Sequence, residues 1–121
     1  MRYLMFIQAA ENQPLAPALM EAMGPYIENN IKRGVLVDTG GLAPTSKSAR
    51  VKLYGGKINV MDGPFTESKE VIGGYAIIEA PSYEAAMKEA VDFMELHRKH
   101  APGWEGTCEV RPFDFLLSDQ G

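Results

Sequence analysis

The sequence predicts an α+β fold, in which an antiparallel sheet carries two helices on one of its faces. Two patterns support this prediction. Short apolar segments rich in branched and aromatic residues, typical of strands, are separated by two longer segments whose apolar residues recur at helical spacing. A Gly-Gly pair between two of the strand-like segments is typical of a tight hairpin, which joins antiparallel strands. The 121 residues fit a single domain over 1–121.

The chain opens with a predicted strand and a helix. Residues 2–9 are mostly apolar and include aromatic and branched side chains, which favours a strand. A helix then extends to about Arg33, and Gly34 supplies its C-terminal stop. Pro25 predicts a kink or two helical pieces. The helix presents one apolar stripe of residues spaced by four: Leu19, Met23, Ile27 and Ile31.

Strands dominate the middle of the chain. Residues 35–39 form the second predicted strand. Residues 50–54 and 57–61 flank Gly55-Gly56 and form the predicted hairpin. Residues 62–70 follow as a charged loop, longer than a bare turn requires.

A further strand is predicted over 71–79. Gly73-Gly74 weakens this strand, so we expect either a bulge or a close approach by other groups at that position. Tyr75 comes next, and it either fills the core as a half-buried residue or lines a pocket with its hydroxyl.

A second helix and a last strand complete the chain. Ser82 is the predicted N-cap, with Glu84 in the first turn, and Pro102-Gly103 ends the helix. Residues 107–117 form the last predicted strand, and residues 118–121 are expected to fray. The apolar stripe of the helix comprises Tyr83, Met87, Ala90, Val91 and Met94.

The order strand, helix, strands, helix, strand is typical of a ferredoxin-like sheet. The first strand is apolar on both faces, because Tyr3, Met5 and Ile7 point one way while Leu4 and Phe6 point the other. Two helices cover only one face of a sheet. A second copy packing sheet to sheet would cover the other face, so we expect a homodimer.

Composition excludes several classes of partner. The net charge is −4, and the 12 Lys and Arg residues are scattered, so we expect no nucleic-acid partner. Apolar runs are too short for a membrane span, and we expect a cytoplasmic protein without a membrane partner. A single cysteine excludes an internal disulfide. Phosphate-binding and dinucleotide motifs are absent from the sequence, so we predict no cofactor.

The charged loop carries the most unusual composition. Asp62 begins an Asp-Gly-Pro turn, in which its carboxylate can accept from backbone amides, while Glu67, Lys69 and Glu70 form a solvated cluster. The alternative interpretation makes Asp62 a general base and makes Glu67, Lys69 and Glu70 binders of a polar ligand. The sequence leaves both interpretations open.

Other charged residues are equally ambiguous. Glu109 and Arg111 share one face of the last strand, so they either pair with each other or with loop charges, or leave Arg111 to bind a carboxylate ligand. Asp38 and Arg50 likewise either form ion pairs or contact a ligand. Asp38 is also a second candidate for a catalytic carboxylate.

The remaining reactive side chains carry less information. His97 and His100 lie where the C-terminus of a helix favours positive charge, with no third ligand at metal spacing, so we predict no metal site. Cys108 lies in an apolar strand, which predicts a buried, inert thiol.

The run VMDGPFTESKEVIGGYAIIEA resembles the YCII-related family, and specifically its DGPF branch. The closing Glu109-Val110-Arg111-Pro112 matches the same branch, and the resemblance covers essentially the whole chain. The resemblance implies a ferredoxin-like domain that forms a dimeric α+β barrel, with a cleft between sheet and helices near the dimer interface. The matching positions are Asp62, Gly63, Pro64, Phe65, Glu67, Lys69, Glu70, Gly73, Gly74 and Tyr75.

The resemblance does not imply a substrate. Better-understood YCII relatives are thought to use a His–Asp pair, and one relative is a dehydrochlorinase of a chlorinated hydroxyquinol. That histidine belongs to the first-helix region, whereas this chain has none before His97, so the pair does not carry over. Asp38 or Asp62 could still supply the carboxylate. DGPF-type domains also occur beside extracytoplasmic-function sigma factors, which implies a regulatory association for some members.

Three functional hypotheses follow. The first is a cleft that binds a small polar or anionic molecule, in one version as a cofactor-free lyase or isomerase with Asp62 as base and Arg111 and Lys69 as stabilising cations. This version requires burial that raises the aspartate pKa above its ordinary value of about 3.9. The second is a non-catalytic module that binds a metabolite or a regulatory partner, and the third is a purely structural dimer.

Overall fold

The computed structural model describes residues 1–14 and 16–113. The end of the predicted last strand and the predicted frayed tail, residues 118–121, lie outside this part. The elements are β1 (Arg2–Ala9), α1 (Pro17–Lys32), β2 (Leu36–Gly41), a short 3₁₀ turn (Thr45–Lys47), β3 (Ala49–Tyr54), β4 (Lys57–Asp62), β5 (Val71–Glu79), α2 (Tyr83–His100) and β6 (Gly106–Pro112).

Four strands form one antiparallel sheet in the order β2-β5-β1-β6, and β3 and β4 form a separate two-stranded hairpin. Residues on one face of the sheet, including Tyr3, Met5 and Ile78, pack against Ala86 and Ala90 of α2. This arrangement confirms the predicted α+β class and is consistent with a ferredoxin-like fold. In the described part of the chain, no helix combines the length and the apolar character that a membrane span requires.

The termination of α1 follows from local chemistry. Gly34 adopts a φ of 74°, and its amide and that of Val35 donate to the carbonyls of Ile31 and Asn30, each over 3.0 Å. These two bonds form a Schellman motif, which favours glycine at this position. The stop predicted at Gly34 is therefore confirmed.

Of the two alternatives expected at Pro25, the division into two helical pieces is wrong, because one continuous helix spans Pro17–Lys32, and the kink stays a prediction. A proline inside a helix removes one amide donor, which leaves the carbonyl four residues earlier, that of Glu21, without its helical partner. Both Glu21 and Pro25 are exposed, so water can hydrate this carbonyl.

The start of α2 also matches the prediction, but its buried face does not. The hydroxyl of Ser82 accepts from the amide of Ala85 over 3.1 Å and caps the helix. The buried residues of the helix are Ala86, Ala90 and His97. By contrast, three members of the predicted stripe are exposed: Tyr83, Met87 and Val91.

Tertiary packing explains why α2 buries a different face from the predicted one. The small side chain of Ala86 is fully buried in the same cluster as Tyr3, which is only 1% exposed. Because the alanine side chains are small, they leave room for the bulky ring of Tyr3 between the helix and the sheet.

Gly73 and Gly74 satisfy both alternatives proposed for them. The register of β1 and β5 shifts between Ile7 and Gln8, which makes Gly73 the extra residue of a bulge. A Cβ on Gly74 would lie 3.1 Å from the carbonyl oxygen of Gly40, so the backbones approach closely there.

The second face of the sheet is the one away from the helices, and we call it the open sheet face. It carries Leu4 and Phe6 from β1 and Ile77 from β5, all half-buried. Apolar residues thus occupy both faces of the sheet, as the sequence predicts. The homodimer inferred from the two apolar faces stays a prediction.

Candidate functional site

A cavity of about 940 Å³ lies between the sheet and α1. Its volume falls within the range of about 300–1,000 Å³ that is usual for sites of small organic molecules. The walls are mainly apolar, and three of the four stripe residues of α1 belong to them, whereas Ile31 is exposed and is not a lining residue. The apolar lining includes Met5, Ile7, Ala76 and Ile78 from the sheet, Leu19, Met23 and Ile27 from α1, and Phe93 from α2.

The mouth of the cavity lies near the N-terminus of α1. Exposed lining residues occur in the loop after β1, the first turn of α1 and the segment after β2, among them Glu11, Pro14, Met20, Leu42 and Pro44. Others lie on β2 and β5, among them Thr39 and Ile72.

Side-chain hydrogen bonds hold the loop after β1 on both sides of the mouth. The carboxylate of Glu11 accepts from the amide of Thr45 and, over 2.6 Å, from the Thr45 hydroxyl. On the other side, the Gln13 amide group donates to the carbonyl of Glu105 over 2.7 Å and accepts from the Glu105 amide over 2.9 Å. The loop after β1 is therefore fixed to the 3₁₀ turn on one side of the mouth and to the residue before β6 on the other.

Glu11 should contribute acid-sensitive stability, because the hydrogen bonds from Thr45 lower the pKa of its carboxyl group. A lowered pKa stabilises the folded state above the ordinary carboxyl pKa, and this contribution disappears as the pH falls through the folded-state value. We expect Glu11→Gln to lower the melting temperature at neutral pH. As the pH falls, the melting temperature of this variant should decrease less than that of the parent. The measurement is thermal unfolding across that pH range. The same change at Glu21, an exposed glutamate of α1, is the control, and identical curves for both variants would contradict the prediction.

A polar cluster occupies the other end of the cavity. Asn30 and Glu89 line the cavity, and both contact Arg33: the guanidinium donates to the Asn30 side-chain oxygen over 2.6 Å and to both Glu89 oxygens over 3.1 and 3.3 Å. Burial, followed by the negative charge of Glu89, raises the pKa of Tyr26, another lining residue. The Tyr26 phenol therefore stays protonated at neutral pH, and this end of the cavity offers neutral hydrogen-bonding groups.

An aromatic row runs along the wall formed by α2. The rings of Tyr26 and Phe93 lie 5.8 Å apart, those of Phe93 and His97 4.7 Å apart, and those of His97 and Trp104 4.6 Å apart. Nδ1 of His97 lies 2.9 Å from the Phe93 carbonyl oxygen. Because a carbonyl only accepts, Nδ1 carries a hydrogen and donates it to this oxygen.

His97 was missed as a site residue in the sequence, where it was assigned only to the helix C-terminus. It is 6% exposed and lines the cavity. The signal that could have identified it is periodicity: Ala86, Ala90, Phe93 and His97 follow one helical stripe, at spacings of four, three and four.

The single tryptophan and the single cysteine of the chain, Trp104 and Cys108, both line the cavity. Burial raises the pKa of Cys108 to about 11, so the thiol is protonated at neutral pH. This agrees with the predicted inert thiol. Together these two residues provide natural reporters for the occupancy of the cavity.

The loop residues predicted as a site lie away from this cavity. Asp62 is exposed at the end of β4, and the next amide, that of Gly63, donates to the carbonyl of Ser48 over 2.8 Å. Glu67 forms an ion pair with Arg50 over 3.0 Å. The four predicted residues of this group are exposed and are not lining residues: Asp62, Glu67, Lys69 and Glu70.

The other predicted residues lie on strands, with side chains on the open sheet face. The Tyr75 hydroxyl donates to the Asp38 carboxylate over 2.9 Å, and this bond raises the pKa of Tyr75. Arg111 pairs with Glu109, and its guanidinium carbon lies 5.9 Å from the centre of the Phe6 ring. Of the seven predicted site residues, Tyr75 alone adjoins the cavity. Asp38 and Arg111 are paired with residues of the same face.

Comparison with known proteins identifies the family. The sequence pattern of the YCII-related domain matches residues 1–112. The chain belongs to the YCII-related family. It is also similar to an uncharacterised protein of Rhizobium meliloti (strain 1021), with 35% identity over 82 residues. The match covers 68% of this chain and 62% of that protein, and so spans less than two thirds of the relative.

All strands and both helices of this YCII-related domain lie within the matched region, and so does the complete lining of the cavity, from Met5 to Cys108. Within residues 1–14 and 16–113, His, Cys, Asp and Glu form no group of three that could hold a metal ion. The chemical groups that the YCII-related domain presents in its cavity are apolar walls, neutral hydrogen-bonding groups, the His97 ring, the arginine-paired Glu89 and, at the mouth, the Glu11 carboxylate bonded to Thr45.

Proposed function

We propose that this YCII-related domain binds a small organic molecule in the cavity between α1 and the sheet. The observation that carries the proposal is the cavity itself, about 940 Å³ in volume and lined mainly by apolar side chains. A pocket of this kind with a few convergent polar groups is the usual architecture of a small-molecule site. The single half-buried thiol is compatible with the reducing cytoplasm, where we place this binding.

The lining favours a ligand with an apolar body and one neutral polar end. The apolar body would contact the methionine, leucine and isoleucine side chains of the walls, while Asn30 and Tyr26 supply hydrogen-bonding groups. The sequence alone suggested a polar or anionic ligand. In the structure Glu89 neutralises Arg33, the cation next to the cavity, so an anion would find no free positive charge there.

Binding requires fewer assumptions than catalysis. A lyase or isomerase that uses Asp62 as base needs an enclosed environment to raise the aspartate pKa. Asp62 is exposed, and neither Asp62 nor Asp38 is a lining residue. We therefore restrict the proposal to binding.

A non-catalytic interaction module is the second candidate function. A specific observation favours it: the β3-β4 hairpin exposes Val51, Leu53, Ile58 and Val60. Contiguous apolar patches on a soluble domain mark interaction surfaces. This function and ligand binding are compatible, because the hairpin residues are not part of the cavity lining.

Filling part of the cavity should weaken ligand binding. The test uses N-phenyl-1-naphthylamine, a neutral apolar dye whose emission rises when it leaves water. We expect Ile27→Trp, which fills part of the cavity, to weaken dye binding about tenfold or more. Ile31→Trp is the matched control, since Ile31 lies one turn further along α1 and is 56% exposed. Equal dye binding by both variants would overturn the proposal.

A second measurement uses the unmodified chain and therefore does not depend on the folding of a variant. Cys108 lines the cavity, so a bound dye should slow its alkylation by iodoacetamide. The reaction is followed by mass spectrometry at alkaline pH, where the thiolate is populated. An alkylation rate that saturating dye leaves unchanged would place the dye outside the cavity and contradict the proposal.

A further inference from the structure

His97 is a buried polar side chain in an otherwise aromatic part of the cavity wall. Its ring contacts those of Phe93 and Trp104, whose centres lie 4.7 and 4.6 Å away. Trp104 lies in turn against the backbone of β6, because a Cβ on Gly106 would come within 2.4 Å of the indole ring. Packing against two neighbouring rings holds the imidazole in one orientation.

The two ring nitrogens of His97 differ in their surroundings. Nδ1 donates to the Phe93 carbonyl oxygen over 2.9 Å, whereas Nε2 has no hydrogen-bond partner within residues 1–14 and 16–113. In the same part of the chain, every completely buried side-chain nitrogen or oxygen atom has a partner. Nε2 therefore keeps accessible surface, and a molecule in the cavity can reach it because His97 is a lining residue.

The carboxylates and carboxamides of the lining, by contrast, already have protein partners. Each of them forms side-chain hydrogen bonds with other residues: Glu11, Gln13, Asn30 and Glu89. A polar atom that is left without a partner in a side chain only 6% exposed is unusual and calls for an explanation. A bound molecule that supplies the missing partner is such an explanation.

The neighbouring charges indicate which ligand group suits Nε2. Glu11 and Glu89 bring two carboxylates to the lining, and Arg33, the cation next to the cavity, is paired with Glu89. An anionic ligand group would therefore meet negative charge. A hydroxyl group is neutral, and because it both donates and accepts, it can pair with Nε2 whether or not that nitrogen carries a hydrogen.

We propose that Nε2 of His97 forms a hydrogen bond with a hydroxyl group on the apolar body of the ligand, so that His97 selects alcohols over molecules of the same shape without the hydroxyl. This inference rests on the proposed binding function and adds a second polar group to its ligand. The rings of Tyr26 and His97 both contact the ring of Phe93. The hydroxyl group is therefore separated by about one aromatic ring from the polar end that Asn30 and Tyr26 bind.

The first test compares n-heptanol with n-heptyl fluoride. Fluorine is close to a hydroxyl group in size but scarcely takes part in hydrogen bonds, so the ratio of the two dissociation constants measures the preference for the hydroxyl. Both constants come from displacement of N-phenyl-1-naphthylamine. We expect His97→Asn to reduce the preference about five- to tenfold, because the asparagine carboxamide can replace Nδ1 but does not reach the position of Nε2.

His97→Gln is the matched control. Its longer side chain brings a carboxamide to the position of Nε2, so this variant should keep most of the preference for n-heptanol. Equal preferences in the parent and in His97→Asn, with both probes still displacing the dye, would overturn this inference and leave the proposed function standing. A parent chain that binds neither the dye nor the probes would overturn the proposed function, and this inference with it.

The second test observes the His97 ring itself and does not depend on the folding of a His97 variant. The chain has two histidines, and His100→Phe, outside the cavity lining, identifies the ring signals of His97 in nitrogen NMR spectra of isotope-labelled protein. Saturating n-heptanol should displace the Nε2 resonance of the parent, whereas n-heptyl fluoride should leave it in place. An Nε2 resonance that n-heptanol does not displace would place this nitrogen in the smaller surface pocket beside Met94 and Gly103, which His97 also lines, and would overturn the proposal.

Discussion

Tyr3→Ala is expected to lower the free energy of unfolding by about 3–5 kcal/mol, as is usual when a buried aromatic ring is removed from a core. Tyr3 is the largest fully buried side chain among the described residues. It fills the contact between β1 and the small residues Ala86 and Ala90 of α2, which cannot expand into the space that its loss would create. The loss amounts to a large part of the stability of an ordinary domain.

Chemical denaturation at matched protein concentration measures this effect, since dimerisation would add to the apparent stability. Tyr3→Phe is the matched control. It keeps the ring and removes only a hydroxyl whose partner is the sulfur of Met1, 3.8 Å away, so we expect a loss below about 1 kcal/mol. Similar losses for both variants would show that the hydroxyl, not the packing of the ring, stabilises this contact.

Gly63→Ala should cost about 3 kcal/mol, the upper end of the range for overpacking. A Cβ at this position would lie 1.7 Å from the carbonyl oxygen of Thr45, a backbone atom that cannot move independently. The loop would have to shift and lose the hydrogen bond from the Gly63 amide to Ser48. The Thr45 hydroxyl also accepts a hydrogen bond from the amide of Phe65, a buried residue. A shift of the loop would therefore extend to the end of the hairpin.

The same denaturation experiment on Gly41→Ala provides the control. A Cβ on Gly41 meets nothing within 4 Å, and Gly41 is not at positive φ, so we expect a change within about 0.5 kcal/mol. Hydrogen exchange of the β3 and β4 amides should increase in Gly63→Ala alone. If the two variants were equally stable, the close approach of Gly63 to Thr45 would not stabilise the fold.

Gly63 also illustrates where local reasoning reaches its limit. Glycine in an Asp-Gly-Pro turn tolerates positive φ, but Gly63 is not among the positive-φ glycines. The requirement for glycine comes instead from Thr45, which lies 18 residues earlier in the chain. A contact at this distance leaves no mark in the local sequence.

The features that the sequence determined by itself are those governed by neighbouring residues. Gly55 and Gly56 have φ values of 58° and 76°, which the tight hairpin between β3 and β4 requires. Ser82 caps α2 with its own hydroxyl, and Gly34 ends α1 through two short-range hydrogen bonds.

Tertiary structure alone decided the location of the site. The buried face of α2 depends on how Ala86 meets Tyr3, and that packing turns His97 toward the cavity while exposing Val91. The sequence predicts the apolar stripe of α1. Only the distance between this helix and the sheet decides that Ile27 lines a cavity instead of packing in a filled core. Sequence periodicity specifies which side of a helix is apolar, but the gap that this side faces depends on the volumes of residues far away in the chain.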